Sequence, residues 1–543
     1  MVIDQAVVAS LPSVEHFTPA EEQALQQYVT NTDKPVFALV NLPEVVKGAL
    51  FARYSRSNKS LRRLLIDEFM EDLPKMTGSP QGGHHRAEAL YERVFNEYGD
   101  DSVAQLGSVH LACEGVSNLL TKVLERGRLM AYLEQSTRYV PYNDKVKGQW
   151  KYHIPAELEG PLRKRFCSVL DAAFAAYARW IEPMEAYYRA RYPRYEGTPL
   201  GAYNRTIRAK ALDTLRGLLP AATRSNLGIY GSGQAYETLL LRMRASQLSE
   251  TRAFSDLILQ ELRKVIPSFV VRVDRADRGV AWSEYLAQTE NAISRQATNL
   301  LGSAIDDLPA DVILTDFDPD GEAKVVAAAL YAVSLLPDVQ LLSRAREMSA
   351  DERTSVLRAY VGDRKNRRHR PGRAFERTHY RFDIVTDYAA FRDLQRHRML
   401  TIEWQTLSPS HGYLVGEAIE EAGALDDWRR VMDSSAELHY ALLSNSQGEA
   451  APYAVSMAYR IRFYMEMNAR EAMHIIELRT APQGHPAYRR VCQQMHRLIA
   501  DQAGHRAIAA AMSFANHEQV ELERLQSETT SQMRAGAISD GAQ

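Results

Sequence analysis

A pattern that occurs twice along the chain constrains its fold more than any other sequence feature. From Lys34 to Ser57 the order is a short apolar strand (VFALV), a turn at Pro43, and an apolar-periodic helix (VVKGALFARYS). From Asp311 the same order recurs as the strand VILTD, the turn DFDPDG and the helix EAKVVAAALYAVS. The recurrence of strand, turn and helix in one order predicts an internal repeat.

A pair of Arg-x-Arg motifs fixes the period of the repeat. Arg126 and Arg128 recur as Arg396 and Arg398, and 396 − 126 gives a period of 270 residues. A chain of 543 residues is too long for one ordinary core, whereas each half of this repeat is the size of a domain. We predict one domain at residues 31–290, a second at 310–525, and a disordered tail at 526–543, which lacks apolar periodicity.

Long helical patterns dominate the chain, and strand signals are few. Residues 90–127 and 491–525 both have the apolar spacing of long helices. Residues 276–309 are also helical in pattern and lead into the join between the halves, which we place near 290–310. The sequence therefore predicts a helix-rich α+β fold.

Composition limits the partners of the protein. The chain is 45% hydrophobic and 25% charged, with a formal net charge of -2, so a long nucleic acid is not an expected partner. A local cationic site for a single nucleotide remains compatible with that charge. The sequence contains no uninterrupted apolar stretch of membrane-spanning length and begins without a basic segment of the secretory type. We expect no membrane partner and a cytoplasmic location.

Three features have simple structural interpretations. Cys113, Cys167 and Cys492 form no CxxC pair, so we predict small buried side chains and no metal site. The acidic run that starts at Asp316 imitates a calcium loop, but Ala327 occupies the position of its bidentate Glu, which favours a plain turn. The basic run at 364–370 could reach a folate tail or a flavin phosphate. A solvated loop is the interpretation we favour for it.

Downstream of the Arg-x-Arg pairs, the two halves differ. The first half has Gly127 between its arginines and continues to Glu134, Ser136, Arg138 and Tyr139. The second half reads Arg396-His397-Arg398 without interruption. It then carries hydroxyl residues at Thr401 and Thr406, followed by Ser408 and Pro409.

Two further runs carry residues that suit anionic ligands. The second half contains Asn468-Ala-Arg470, then His474, and ends at Arg479, and helical geometry places positions 470 and 474 near one face. The corresponding run of the first half, Gly231-Ser232-Gly233, has neither the Asn nor the Arg. The first half instead has Arg216-Gly-Leu-Leu-Pro220, whereas the second half keeps only Pro452.

Together these runs resemble the signatures of the flavin-dependent thymidylate synthases. That family is marked by Arg-His-Arg followed by a spaced Ser, Asn, Ser, Arg, Tyr run, and by a later Asn-Ala-Arg helix. The first half keeps the far end of the first signature, and the second half keeps its opening triplet. The resemblance therefore implies two tandem flavin-dependent thymidylate synthase-like domains that have diverged at opposite ends.

The resemblance implies a role for each matching residue. The flavin side of the site is implied for six residues of the second half, which are Arg396, His397, Arg398, Asn468, Arg470 and His474. The nucleotide side is implied for five residues of the first half, which are Glu134, Ser136, Arg138, Tyr139 and Arg216. Arg479 takes the catalytic position, where it would stabilise charge on the uracil ring. Arginine suits these places because its planar fork of donors binds phosphate oxygens and keeps its charge.

The activity implied is the reductive methylation of dUMP to dTMP with methylenetetrahydrofolate, FAD and NADPH. Flavin-dependent alkylation of another uridine nucleotide and a non-catalytic flavin- or nucleotide-binding protein remain alternatives. Relatives assemble four short chains into a tetramer whose sites are shared between subunits. A homodimer of this chain could form the equivalent pseudo-tetramer, each site combining nucleotide residues of one half with flavin residues of the other.

Overall fold

The structure is a computed structural model that describes residues 15–33, 37–54, 57, 59–70, 105–301, 310–522, 524–525, 528–530 and 532. Val36 of the predicted strand VFALV, residues 90–104 of a predicted helix and most of the predicted tail lie outside this range. The strand prediction is wrong for residues 37–40, which make only an isolated bridge at Leu39. Among the described residues, no helix is both long enough and apolar enough to span a bilayer.

Helices make up most of the described chain. In chain order the α-helices are α1 Pro19–Leu25, α2 Glu44–Tyr54, α3 Leu61–Leu64, α4 Asn118–Leu124, α5 Gly160–Arg191, α6 Leu200–Leu215, α7 Gly233–Ala245, α8 Ser249–Val265, α9 Ala281–Leu301, α10 Gly321–Tyr331, α11 Asp338–Glu347, α12 Ala350–Val361, α13 Tyr388–Leu394, α14 Glu417–Glu421, α15 Leu425–Ser444, α16 Ala469–Arg479, α17 Pro486–Asp501 and α18 Arg506–Ala511. The strands are β1 Ser108–Ser117, β2 Met130–Glu134, β3 Arg224–Ser232, β4 Val312–Phe317, β5 His379–Asp387, β6 Thr401–Trp404 and β7 Arg460–Asn468. The helix-rich α+β prediction is confirmed.

The strands form two small sheets with related orders. One is three-stranded with order β1-β3-β2, and the other is four-stranded with order β4-β5-β7-β6. In the larger sheet β5 and β7 are antiparallel, with His379 opposite Asn468 and Asp387 opposite Arg460. Helices follow β5 and β7 directly, as they follow β1 and β3. This recurrence is the arrangement that an internal repeat requires, while a tandem duplication itself stays a prediction.

The chain is divided between two compact units. Unit 1 comprises Met1–Cys113, Leu129–Leu133 and Leu227–Ala304, and unit 2 comprises Glu114–Arg128, Glu134–Asn226 and Ile305–Gln543. Part of the first sequence half therefore belongs to unit 2. The division at 290–310 remains a prediction about the repeat and its two domains.

The turn that precedes α7 lies in unit 1, and its sequence differs from that of the turn that precedes α16. Ser232 caps α7 by accepting a hydrogen bond from the amide of Ala235 at 3.3 Å. The Phe269 side chain lies so close to Gly233 that a Cβ added to this glycine would come within 2.7 Å of the Phe269 Cβ. A small residue is therefore required after the cap, whether or not the turn binds anything.

Unit 2 brings equivalent segments of the two sequence halves together. The amide of Ala221 donates to the Val455 carbonyl at 2.8 Å, and the amide of Met457 donates to the Leu219 carbonyl at 2.9 Å. The Tyr388 hydroxyl at the start of α13 also donates to the Asn118 carbonyl at 3.0 Å. Because α4 directly follows β1 and α13 directly follows β5, corresponding segments of the two sequence halves contact each other, as in a two-fold interface.

Two predictions of continuous helix are wrong. Residues 108–117 form β1, in which Val109, Cys113 and Val116 are buried and most of the positions between them face outward. The exposed His110 and Ala112 alternate with Val109, Leu111 and Cys113, which are buried or half-buried, as a strand requires. The spacing of the fully buried positions 109, 113 and 116 also fits a helix, which explains the wrong prediction. At the other end of the chain, α17 stops at Asp501 and only the short α18 follows before residue 522. Gly504 has a φ of 72°, a left-handed conformation that interrupts the helix.

Candidate functional site

The Arg-His-Arg run follows a short helix that is buried on nearly all sides. The Asp387 carboxylate caps α13 by accepting a hydrogen bond from the amide of Ala390 at 2.9 Å. Apolar side chains of α13 fill the surrounding core, including Phe391, whose ring centroid is 5.0 Å from that of Phe463 on β7. This packing fixes the last turn of α13, and with it Arg392, Asp393 and the residues that follow.

The Asn-Ala-Arg run begins α16 at the end of β7. The Asn468 side chain accepts a hydrogen bond from the amide of Glu471 at 2.9 Å, so it is the N-cap of the helix. At the other end of α16, the Nε of Arg479 donates to the Nε2 of His397 at 2.9 Å. Arg479 also donates from Nη2 to the Asp393 carbonyl, and its guanidinium lies 5.4 Å from the Tyr488 ring centroid. The Arg479 guanidinium at the end of α16 is therefore fixed in orientation.

The Asp393 carboxylate lies among arginines from both sequence halves. Its oxygens are 3.9 Å from Arg138 and 3.8 Å from Arg216, both of the first half. In the second half it pairs with Arg396 and lies 4.0 Å from Arg479. Burial by itself raises the pKa of Asp393, but these four cations outweigh it and hold the pKa well below the ordinary value. A single ionised carboxylate therefore gathers four arginines.

Glu134 lies in a second buried charge cluster. Its Oε1 accepts a hydrogen bond from Arg392 at 2.8 Å, and its Oε2 accepts one from Lys122 at 3.3 Å. Lys122 also pairs with Glu125. Burial raises the pKa of Glu134, but the charges of Arg392, Lys122 and Arg396 lower it further, to about 2. The side chain predicted to contact the nucleotide is therefore already paired within the protein.

A cavity of about 350 Å³ in unit 2 lies beside this arginine cluster. Arg216 lines it and is only 4% exposed, and its Nε and Nη2 have no hydrogen-bond partner in the described part of the chain. The cavity wall also carries Lys210 and Arg490, together with the tyrosine rings of Tyr188 and Tyr192. Two unpaired donor nitrogens on a buried cation are suited to bind an anion such as a phosphate.

Three side chains near the start of α16 gather their polar atoms in a small volume. One ligand atom from each of His397, Glu471 and His474 lies within 4.8 Å of the others. Burial and neighbouring arginines lower the pKa of His397 well below its usual value and that of His474 to about 4. Burial also raises the pKa of Glu471 to about 7. No metal site was predicted here. His397 and His474 were both assigned to the flavin side, whereas Glu471 was not singled out.

The remaining predicted residues contact other groups of the protein or are exposed. The Ser136 hydroxyl accepts a hydrogen bond from the Arg138 amide at 3.3 Å, while the exposed Tyr139 hydroxyl pairs with Arg524. Arg470 donates to the Pro371 carbonyl at 2.9 Å and to Glu376 at 3.3 Å. Arg398 is exposed.

The prediction that the 364–370 run is a solvated loop is wrong for its first residue. The Arg364 side chain is 3% exposed and donates to both oxygens of Glu477 at 2.6 Å. Arg370, at the end of the run, lies 3.0 Å from the Nδ1 of His474. The run therefore reaches α16 at two points, because a buried carboxylate of that helix needs a charged partner.

Sequence reasoning missed the residues that join the halves. Asp393 and Arg392 are central to the two charge clusters, and Tyr488 contacts both Arg138 and Arg479. The available signal for Asp393 was an acidic residue three positions before the Arg-His-Arg run, within reach of Arg396 on one helical face. Nothing in the sequence near Arg392 points to Glu134.

Comparison with known proteins decides the family. The model of the family described as thymidylate synthase complementing protein matches residues 48–268 and 313–503, well over half of the chain. The chain belongs to the flavin-dependent thymidylate synthase family. The two matched regions fall within the two halves that the repeat defines, so family similarity is present in both.

Known proteins are similar to this chain over different lengths. A UPF0159 protein of Chlamydia pneumoniae is 39% identical over 496 residues, which cover 89% of this chain and 93% of the relative. A flavin-dependent thymidylate synthase of a Mycobacterium species is 34% identical over 185 residues, 33% of this chain and 68% of the relative. A solved structure of a UMP/dUMP methylase from Streptomyces cacaoi, bound with 5-Br dUMP, has a TM-score of 0.30 and 20% identity, covering 38% of this chain and 97% of that chain.

Proposed function

We propose that this protein is a FAD-dependent enzyme that reductively methylates dUMP to dTMP with methylenetetrahydrofolate and NADPH. The observation that carries the proposal is the gathering of Arg138 and Arg216 with Arg396 and Arg479 around Asp393. The first pair matches nucleotide-side positions of the family. Arg396 matches a flavin-side position of the family, and Arg479 matches the position that contacts the uracil ring.

Arg216 is the expected phosphate contact. A guanidinium that is 4% exposed and has two unpaired donor nitrogens loses solvation without recovering all its hydrogen bonds, which is costly unless a ligand supplies acceptors. A nucleotide monophosphate provides several. Arg138 pairs at 3.0 Å with Asp213, which lines the same cavity.

Arg479 is the expected catalytic residue. Its Nε is bonded to His397 and its Nη2 to a backbone carbonyl, so the guanidinium cannot reorient during the reaction. Negative charge that develops on the uracil ring edge during methyl transfer would then face a fixed cation, which is the arrangement that stabilises a transition state.

The chemistry of the second-half residues suits a flavin dinucleotide. Arg396 and Arg470 keep about a third of their side chains exposed, and Arg398 is exposed as well, so their guanidinium groups are accessible to a diphosphate. The amide nitrogen of Asn468 is a further donor, because the cap uses only the side-chain oxygen. When bound, reduced flavin supplies the hydride that no side chain can provide.

A cytoplasmic homodimer that acts as a pseudo-tetramer completes the proposal. The corresponding segments through which the halves contact each other in unit 2 support it, because they reproduce within one chain the two-fold contact of a pair of subunits. With nucleotide-side residues in one half and flavin-side residues in the other, we expect one flavin per chain.

The test is a flavin-to-chain ratio combined with a thymidylate assay on the purified full-length protein. The expected result is about one FAD per chain, bleaching with NADPH, and dTMP formed from dUMP and methylenetetrahydrofolate. Arg396→Ala and Asn468→Ala should each lose flavin. A flavoprotein that turns over another uridine nucleotide but never dUMP would contradict the proposed substrate, and a protein with no turnover would contradict an enzymatic function.

A further inference from the structure

The trio His397, Glu471 and His474 presents an unusual set of hydrogen-bonding groups. The Glu471 side chain is 9% exposed, and its nearest ring nitrogen is the Nδ1 of His397 at 3.7 Å, beyond hydrogen-bond distance. No hydrogen bond reaches its carboxylate from the described residues. A buried acceptor without a donor needs one from a ligand or from water.

Two arginines determine which histidine nitrogens carry protons. The Nε of Arg479 donates to the Nε2 of His397 at 2.9 Å, and Arg370 Nη2 lies 3.0 Å from the Nδ1 of His474. Because a guanidinium has donors only, each of those ring nitrogens must accept with its lone pair. Each neutral ring therefore carries its proton on the other nitrogen, the Nδ1 of His397 and the Nε2 of His474.

This protonation pattern disfavours a metal ion in the trio. A metal needs a lone pair on each histidine nitrogen that it contacts, and the arginines already occupy both lone pairs. The guanidinium groups of Arg370, Arg470 and Arg398 act on Glu471 as well, so a divalent cation would meet a positive surrounding. The free groups of the trio are two N–H donors and a carboxylate acceptor.

We propose that Glu471 accepts the N–H of a cyclic imide, while His397 and His474 donate to the two carbonyls that flank it. The isoalloxazine ring of a flavin and the uracil ring of a nucleotide both have such an edge. Along it, a carbonyl acceptor, an N–H donor and a second carbonyl acceptor follow one another. One nitrogen of each histidine and one carboxylate oxygen of Glu471 lie within 4.8 Å of one another, so the three groups can face one edge of a six-membered ring. This inference rests on the proposed function. Since Arg479 is assigned to the uracil, flavin is the expected source of the edge.

The test compares ligands with and without the imide proton on the full-length protein. Binding of FAD and of N3-methyl FAD is measured by quenching of flavin fluorescence, and binding of dUMP and N3-methyl dUMP by calorimetry. We expect N3-methylation to weaken FAD binding by about 10-fold or more in the wild type, as loss of a hydrogen bond to a charged group does. In Glu471→Ala the same methylation should cost less than about 2-fold.

Two further variants make the comparison decisive. Glu471→Gln keeps the shape and one acceptor oxygen, so its discrimination should fall between those of the wild type and Glu471→Ala. Glu466→Ala removes a carboxylate of β7 that is paired with Arg381 at 2.9 Å, and it should discriminate like the wild type. If Glu471 discriminates against N3-methylation of dUMP but not of FAD, the imide site is supported and uracil is the ring that it binds.

Equal penalties for N3-methylation in the wild type and in Glu471→Ala, for both ligands, would overturn the inference. Stoichiometric binding of Zn²⁺ or Fe²⁺ that is lost in Glu471→Ala would also overturn it, because the trio would then be a metal site. Failure of the wild type to bind FAD would instead contradict the proposed function. The two failures are therefore distinguishable.

Discussion

Arg392 donates a hydrogen bond of 2.8 Å to Glu134 across 258 residues of sequence, and both side chains are almost completely buried. We expect Glu134→Ala to lower the free energy of unfolding by about 3–5 kcal/mol, because it leaves Arg392 and Lys122 buried without their carboxylate. Urea denaturation of the purified protein measures this. Arg392→Ala should cost a similar amount, and the double variant Glu134→Leu/Arg392→Met much less than the sum of the two.

Glu403→Ala is the matched control for this prediction. Glu403 also pairs with an arginine of the first half, Arg126, but both side chains are substantially exposed. Its loss should cost no more than about 1 kcal/mol. Equal costs for Glu134→Ala and Glu403→Ala would show that the buried cluster does not stabilise the fold.

Arg216→Ala should weaken dUMP binding by about 10-fold or more while leaving FAD bound. The reason is that Arg216 contributes unpaired donor nitrogens to the cavity, and charge-assisted hydrogen bonds to phosphate are among the stronger ones. Calorimetric titration with dUMP checks it. Arg191→Ala is the control, since Arg191 lines the same cavity but is paired with Glu421 at 2.6 Å. A larger loss of affinity in the control would assign the phosphate to a different part of the cavity.

Arg479→Lys should lower kcat by about 100-fold or more and change dUMP affinity far less. Lysine keeps the charge, but its ammonium group cannot donate to both the His397 ring and the Asp393 carbonyl in the fixed geometry of a guanidinium. Single-turnover measurements of dTMP formation, with the flavin spectrum as a check on cofactor binding, provide the readout. An unchanged kcat would remove Arg479 from the chemistry.

Glu471 makes a distinct contribution to the pH dependence of stability. Burial raises its pKa from 4.5 to about 7, so the folded state binds this proton more tightly than the unfolded chain. The contribution is fully present below about pH 4.5 and is lost as pH rises through about 7, with a total on the order of 3 kcal/mol. His474, with its pKa lowered to about 4, has the opposite slope between about pH 4 and 6.5.

The comparison of wild type with Glu471→Gln isolates that contribution. In the difference between their unfolding free energies, measured in urea from pH 4.5 to 8, the histidine contribution largely cancels. The wild type should lose stability relative to the variant as pH increases. A difference that is constant with pH would mean that Glu471 keeps an ordinary pKa.

The sequence predicted those parts of the fold and site that depend on local pattern. The helix-rich class followed from apolar spacing. Of the two predicted strand-turn-helix runs, β4 and α10 confirm the second, whereas the first has α2 but only an isolated bridge at Leu39 in place of its strand. The caps at Ser232 and Asn468 were not predicted, although both residue types favour that position.

The parts that were not predicted depend on residues distant in sequence. Arg364 was expected in solvent because its neighbours are basic, and its partner Glu477 lies 113 residues later. β1 was assigned to a helix because the spacing of its fully buried positions also fits a helix. The pairing of Glu134 with Arg392 exists only once α13 has packed within unit 2.

The buried partners of Glu134 change what its presence in a sequence signifies. Selection for a foldable chain alone would retain this glutamate. Replacing it without a matching change at Arg392 would greatly lower the free energy of unfolding. Across relatives these two positions should therefore be inherited as a linked pair. A descendant that had lost all turnover would still carry both, so motif matches at this position cannot separate working enzymes from pseudoenzymes.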